Sequence, residues 1–315
     1  MKKTTKTILL ALCVMLLWGS LFPCIKLAYV AFDIDSSVSS NLLLFAGIRF
    51  LVCGTVILLF CKAKNKNLKI KSVKQWVMVI AIGLFAIVLH YGFTYIGLAK
   101  IDSSKTAILK QLAFLIFIAF SFVFFKEDRF TVNKMMGAVF GFIGIVVLNL
   151  DGTEFTIGIG EILIISASCF MLISNILCKK LTKDLDAVVI TGYSHFAGGV
   201  LLVIIGICSG GNIGYLSVKS AGIFAYICAA SIVAYCLWNS ILKNNNLSHL
   251  FIIKFTEPLF ACIFSAILLG EDIFKWQNII AVLLVSLGII LGSFQRKRKV
   301  LSEQKDESCD GDERG

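Results

Sequence analysis

About ten stretches of apolar residues, each long enough to cross a bilayer, follow one another along this 315-residue chain with only short polar connections between them. Nothing limits the fold more. Lipid offers no hydrogen bonds, so backbone inside it must satisfy itself as helix or as closed barrel. Crossing a hydrocarbon core of roughly 30 Å takes about 20 helical residues, and runs of that length select the helix. The predicted spans are 7–32, 38–61, 75–98, 104–125, 132–150, 159–178, 188–208, 220–242, 248–269 and 275–294. Their connections leave no room for another large domain, and an even number of spans puts both termini on one side. The residues are 58% hydrophobic and 16% charged, against an apolar share of about 45–50% in ordinary soluble domains.

Charge then orients the chain. Lys2, Lys3 and Lys6 precede the first span, and Lys62, Lys64, Lys66, Lys69, Lys71 and Lys74 follow the second. Further basic groups are Lys126, Arg129 and Lys134, then Lys179, Lys180 and Lys183, then Arg296 to Lys299. These loops alternate with connections poor in Lys and Arg, around Asp33 and Asp35, Asp151 and Glu154, and 209–219. The positive-inside rule makes the basic side cytoplasmic, with both termini on it. It also accounts for the net charge of +11 without nucleic acid as a partner; the partner is the lipid bilayer. The apolar run after the N-terminal lysines continues to about Phe32 with no A-x-A cleavage pattern, so it reads as a retained helix. Ten of the eleven cysteines lie in or beside apolar runs with no C-x-x-C, as small packing residues do. Residues 296–315 turn from basic to acidic with no apolar periodicity and read as a disordered cytoplasmic tail.

Phe251 to Glu271 departs from the apolar rule by carrying Lys254, Glu257 and Pro258 within one span. A charge at mid-bilayer costs about 2.5–3.5 kcal/mol on insertion scales, so these residues need partners, water or a task. From the inner end near Ser248, a rise of about 1.5 Å per residue puts Lys254 about 9 Å deep and Glu257 about 13 Å deep. A shift of 144 residues superposes this stretch on Ala107 to Glu127: Lys110 matches Lys254 and Glu127 matches Glu271. The same shift pairs Tyr91 with Tyr235, Leu98 with Leu242, Asp128 with Asp272, Phe130 with Phe274 and Gly144 with Gly288. The chain thus repeats, as residues 1–150 and 151–295. Five spans per copy start the second copy on the opposite side of the membrane, the inverted-repeat plan of secondary transporters, whose sites lie near the midplane between the halves.

Trp18 to Ala28, with its opening Trp-Gly-Ser, and Arg49 in Gly-Ile-Arg-Phe-Leu resemble the first two helices of the EamA-type branch of the drug/metabolite transporter superfamily. Glu257 to Asp272 resembles its proline-containing ninth helix, which ends in Gly-Glu. The likeness covers the ten spans and leaves out the tail. It implies an all-α integral membrane fold of ten transmembrane helices and a carrier in the cell membrane, often an exporter of small metabolites or amino acids, without a bound cofactor. It does not name a substrate. Phe114 stands where such repeats often carry proline, which predicts that the two halves bend differently.

The candidate site gathers the deep groups. Lys110, Lys254 and Arg49 outnumber Glu257, which calls for a substrate with a negative group. If Lys254 sheds its proton in the apolar interior, Lys254 and Glu257 become a proton-coupling pair instead. Arg49 keeps its charge and needs an anion or carbonyls, and Glu257 is one candidate partner. His90 and Tyr91, with Tyr95 beyond them, and Tyr235, Trp238 and Asn239 at i, i+3, i+4 spacing are candidate lining residues; helix packing explains the same pattern. Lys26 reads as a lysine reaching for the outer interface, and Trp76 and Trp276 as interface anchors. Gly137/Gly141 and Gly288/Gly292 mark close helix crossings. Glu127 and Glu271, at span ends, suit either a gating loop or solvent. A ligand-binding receptor without transport and an intramembrane enzyme remain as rivals. The sequence contains no H-E-x-x-H, G-x-S-x-G or phosphate-cradling loop to favour the enzyme.

Overall fold

The computed structural model describes residues 2–117, 132–148, 150–151, 154–155, 157–245, 247–254, 256–272 and 275–293. Glu127, Asp128, Arg129, Phe130, Phe274 and the 296–315 tail lie outside them. Apart from a two-residue antiparallel pair, Leu150–Asp151 with Glu154–Phe155, the described architecture is helical. Among the described residues, six continuous helical stretches are long and apolar enough to cross a membrane: Lys6–Ala31, Ser39–Ala63, Val73–Leu98, Ile159–Leu181, Ala187–Cys208 and Val218–Lys243. They lie within α1 (Lys2–Ala31) and α2 (Ser39–Ala63), the third span, then α8 (Ile159–Leu181), α9 (Ala187–Cys208) and α10 (Val218–Asn244). The third span is α3 (Val73–Gly83), a π-helical stretch Leu84–Leu89, and α4 (His90–Leu98). Spans five and ten are α7 (Val132–Leu148) and α13 (Trp276–Ser293).

Local chemistry starts these helices. Ser72 accepts the Gln75 amide, Asp186 those of Val188 and Val189, and Ser217 that of Ser220, each satisfying donors that a first turn leaves open. The wide π turn just ahead of His90 changes the phase of the helix where it turns His90 and Tyr91 inward.

Spans four and nine are not single rods. The fourth runs as α5 (Ser103–Leu109), a turn at Lys110 and Gln111, and α6 (112–117). The ninth runs as α11 (Leu247–Lys254) and α12 (Glu257–Leu269). Pro258 explains the second break, since a proline has no amide to donate and is tolerated only in a first turn. The first half breaks at the matching position without one, so a break there does not require proline at 114. There the Gln111 amide bonds back to Ile108 O at 3.0 Å, and its side chain caps Ala107 O at 3.1 Å.

Packing relates the two halves. α2 lies along α9 and α7 along α13; α1 packs on α10 as α8 packs on α4; α12 meets α5. Glycines set the closest approaches. A Cβ on Gly288 would stand 2.4 Å from Gly137 O, and one on Gly54 would stand 2.3 Å from Phe196 N. These backbones touch because no side chain intervenes. Trp76 and Trp276 are both partly exposed at helix starts, and Trp76 meets Tyr193 edge-on.

Candidate functional site

The breaks in spans four and nine bring three deep charges together. Lys254 closes α11 and Glu257 opens α12, so the carboxylate sits at a helix N-terminus and the ammonium at a C-terminus, where the helix dipoles favour them. Lys254 Nζ and Glu257 Oε2 are 2.6 Å apart, and both residues are 3% exposed. Burying such a pair is tolerable only with close geometry and further contacts. The rings of Trp18, Phe114 and Trp238 supply them, with centroids 4.3, 4.9 and 5.8 Å from Nζ. Lys110, at the first-half break, points into the same small cavity together with His90, Tyr91, Tyr235, Lys254 and Glu257.

His90 fixes its own tautomer. Nδ1 lies 2.8 Å from Ala167 O and must donate, because a carbonyl only accepts. In the neutral ring Nε2 is then an acceptor, 3.3 Å from Lys110 Nζ. Lys110 Nζ also lies over Phe22 and Tyr91, 5.1 and 5.7 Å from their centroids. Tyr235 donates to the Tyr91 hydroxyl at 2.7 Å. These two are the residues that the 144-residue shift equates, so the internal repeat meets itself at this hydrogen bond.

Three placements differ from the sequence reading. Arg49 is fully buried, but it bonds the Tyr95 and Ser231 hydroxyls and lies against the faces of Phe50 and Tyr91 rather than pairing with Glu257. Nor does it line the cavity; it stands behind Tyr91 and Tyr95. Asn239 turns away to donate to Thr191 Oγ1 at 2.8 Å, because α9 passes on that side. Trp238 donates to Asn175 Oδ1 at 2.9 Å and forms the outer wall of the ring cluster around Lys254. His90, Tyr91 and Tyr235 do line the cavity.

The candidate set lacked Trp18, Leu21, Phe22 and Ile25, which form one wall. Their i, i+3, i+4, i+7 spacing was a readable signal of one helical face. Thr94, Phe114 and Met171 complete the lining, and nothing in their local sequence separates them from packing residues. The cavity measures about 20 Å³, room for roughly one water.

At one end of the bundle Glu271 acts as a clamp. Its Oε1 accepts the Ser103 amide at 2.9 Å, and its Oε2 accepts the Ser104 amide at 3.1 Å and hydroxyl at 2.9 Å. Lys26 Nζ stands 3.6 Å from Oε1, so this lysine has a partner as well as a reach toward the interface. Burial pushes the Glu271 carboxyl up, but the two amides, the hydroxyl and Lys26 outweigh it and hold it below the usual carboxylate range. Asp186, before α9, behaves alike: burial pushes it up, and Lys66 with the Val188 and Val189 amides brings it down. Glu127, the repeat's counterpart of Glu271, lies outside the described residues.

Comparison with known proteins gives this chain relatives. The sequence model of the EamA-like transporter family matches the chain twice, over residues 5–150 and 158–294. The uncharacterized transporter YvbV of Bacillus subtilis is 27% identical over 203 residues, 64% of this chain and 63% of that protein. The match thus spans less than two thirds of that relative. An uncharacterized transporter of Archaeoglobus fulgidus is 24% identical over 274 residues, covering 85% of this chain and 90% of its own. A protein of Chlamydia trachomatis named S-adenosylmethionine/S-adenosylhomocysteine transporter is 24% identical over 246 residues, 72% of this chain and 73% of that one. A solved crystal structure superposes with a TM-score of 0.69 at 16% identity, over 93% of this chain and 98% of that chain, a likeness of fold alone.

Proposed function

Because the chain belongs to the EamA-like transporter family of multi-pass membrane proteins, we propose that it is a secondary carrier exporting a small polar or amino-acid-like metabolite. The metabolite carries an anionic group and crosses the cell membrane by alternating access. The two inverted repeats, 1–150 and 151–295, rock about a shared site, both termini lie in the cytoplasm, and protons are the coupling ion. The observation that carries this reading is the meeting of two broken helices. Lys110 and Lys254, equivalent in the repeat, reach one buried cavity from opposite halves, with Glu257 beside them. Discontinuous helices that present charge at the midplane are how secondary carriers bind ions and polar substrates. The two lysines against one carboxylate leave a positive excess that an anionic group balances. The name of the Chlamydia relative supports a small metabolite as cargo.

Reconstituted protein should move a subset of a panel of amino acids, nucleosides, sugar phosphates and organic acids across proteoliposomes, in response to an imposed pH gradient. Glu257→Gln should lower that flux and flatten its pH dependence while the protein still inserts. Ligand binding without flux across the panel would replace the carrier by a receptor. Unchanged flux and pH profile in Glu257→Gln would reduce Glu257 to packing.

A further inference from the structure

The Lys254 ammonium occupies a site built for a cation. Three aromatic rings from three spans surround Nζ: Trp18 from the first, Phe114 from the fourth and Trp238 from the eighth, with the Glu257 carboxylate on the remaining side. Ring faces are negative, and an arrangement of aromatic walls closed by a carboxylate is how proteins recognise alkylammonium ligands. We propose that this box is the cation subsite of the transport site, filled in this structure by Lys254 itself, and that a zwitterionic substrate enters by exchanging its own ammonium for that of Lys254.

Two observations on the same residues argue for exchange over simple addition. The first is space. A cavity of about 20 Å³ takes no metabolite as it stands, so a ligand must replace something, and Lys254 ends α11 at the break before α12, where its head can swing away. The second is charge. A ligand with only an anionic group that drew Lys254 away would leave Glu257 buried and alone, and a ligand with only a cation would leave Lys254 so. Either leaves an uncompensated buried charge, which is strongly unfavourable. A zwitterion inserted into the pair leaves neither partner single: its ammonium meets Glu257 and the rings, and its anionic group meets Lys254, with the Lys110 charge lining the same cavity. Lys254 is then a tethered competitor that sets a threshold for what can bind. The inference rests on the carrier reading and narrows its substrate to molecules with an ammonium and an anionic group close together.

The test uses the full-length protein in detergent and ethylammonium chloride as the probe. Lys254→Met keeps the apolar stem and removes only the tethered charge. It should bind ethylammonium saturably, seen as a change in tryptophan fluorescence and a rise in Tm, at least about tenfold more tightly than wild type. The double variant Lys254→Met/Glu257→Gln should lose that binding. Equal binding by wild type and Lys254→Met, or retained binding by the double variant, overturns the subsite. If Lys254→Met does not purify alone, ethylammonium during solubilisation should restore monodisperse protein where sodium chloride at equal strength does not; no restoration also overturns it. In wild-type proteoliposomes, amino acids should exceed their deaminated acids in flux by at least about tenfold, and equal flux refutes the exchange. Absence of all flux while Lys254→Met binds ethylammonium refutes the carrier reading and leaves the subsite standing.

Discussion

Replacing Glu271 by glutamine should loosen one end of the bundle by an amount that the hydrogen bonds set. The carboxylate takes three donors on two oxygens, and its charge also draws Lys26 from α1. Glutamine keeps one acceptor oxygen and exchanges the other for an NH2 group, so the Ser103 side or the Ser104 side goes unanswered. Hydrogen bonds to a charged acceptor contribute about 1.5–3 kcal/mol each. Solvent reaches this partly open site and repairs part of the loss, which leaves a net cost of about 2 kcal/mol, or roughly thirtyfold in the local opening equilibrium. Hydrogen exchange resolved by peptide should show the amides of Ser103 and Ser104 accelerating by about that factor, with α2 and α9 unaffected. The wild-type clamp also has a pH signature. Its carboxyl is held below the ordinary value of 4.5, so its contribution is complete above that value and is lost as pH falls through the lower folded one. Glu271→Gln should show no such step. Unchanged exchange at 103–104 in the variant, or the same acid step in both proteins, would refute the clamp.

Other perturbations probe the frame that holds the site. Gly54→Ala places a methyl 2.3 Å from the Phe196 backbone, so α2 and α9 must part; overpacking of this kind costs about 1–3 kcal/mol or more, and Tm should fall. Gly222→Ala, with open space at its Cβ, should instead be neutral or stabilising by up to about 1 kcal/mol; equal losses in the two variants would count against the close crossing. Asp186→Ala removes the cap of α9 and should cost about 1 kcal/mol, while the exposed bond to Lys66 adds little. Because the Asp186 carboxyl is also held low, that difference should be present at neutral pH and shrink on acidification, as chemical denaturation across pH would report.

The number of spans, their helical nature, the duplication and the identity of the deep charges were legible in the residues themselves. Each follows from a one-dimensional rule: lipid forces backbone self-sufficiency, apolar length measures a bilayer, and an unshielded charge within it stands out. The 144-residue shift equated Tyr91 with Tyr235, but that the two share a hydrogen bond came from the tertiary structure. What tertiary structure decided was which face each helix turns inward. Arg49 is as deep and as charged as Lys254, yet it is spent on Tyr95 and Ser231 behind the cavity wall. Asn239 sits one residue from Trp238 and faces another helix, while Phe114, noted only for not being proline, stacks over the central ammonium. Sequence spacing gives an angle around a helix axis, but the direction of the cavity from that axis comes from glycine-set crossings and from the breaks at Lys110 and Lys254. The crossings depend on partners more than a hundred residues away, as Gly54 does on Phe196, and no local pattern encodes them; of the two breaks, Pro258 marks the second in the sequence, while no proline marks the first.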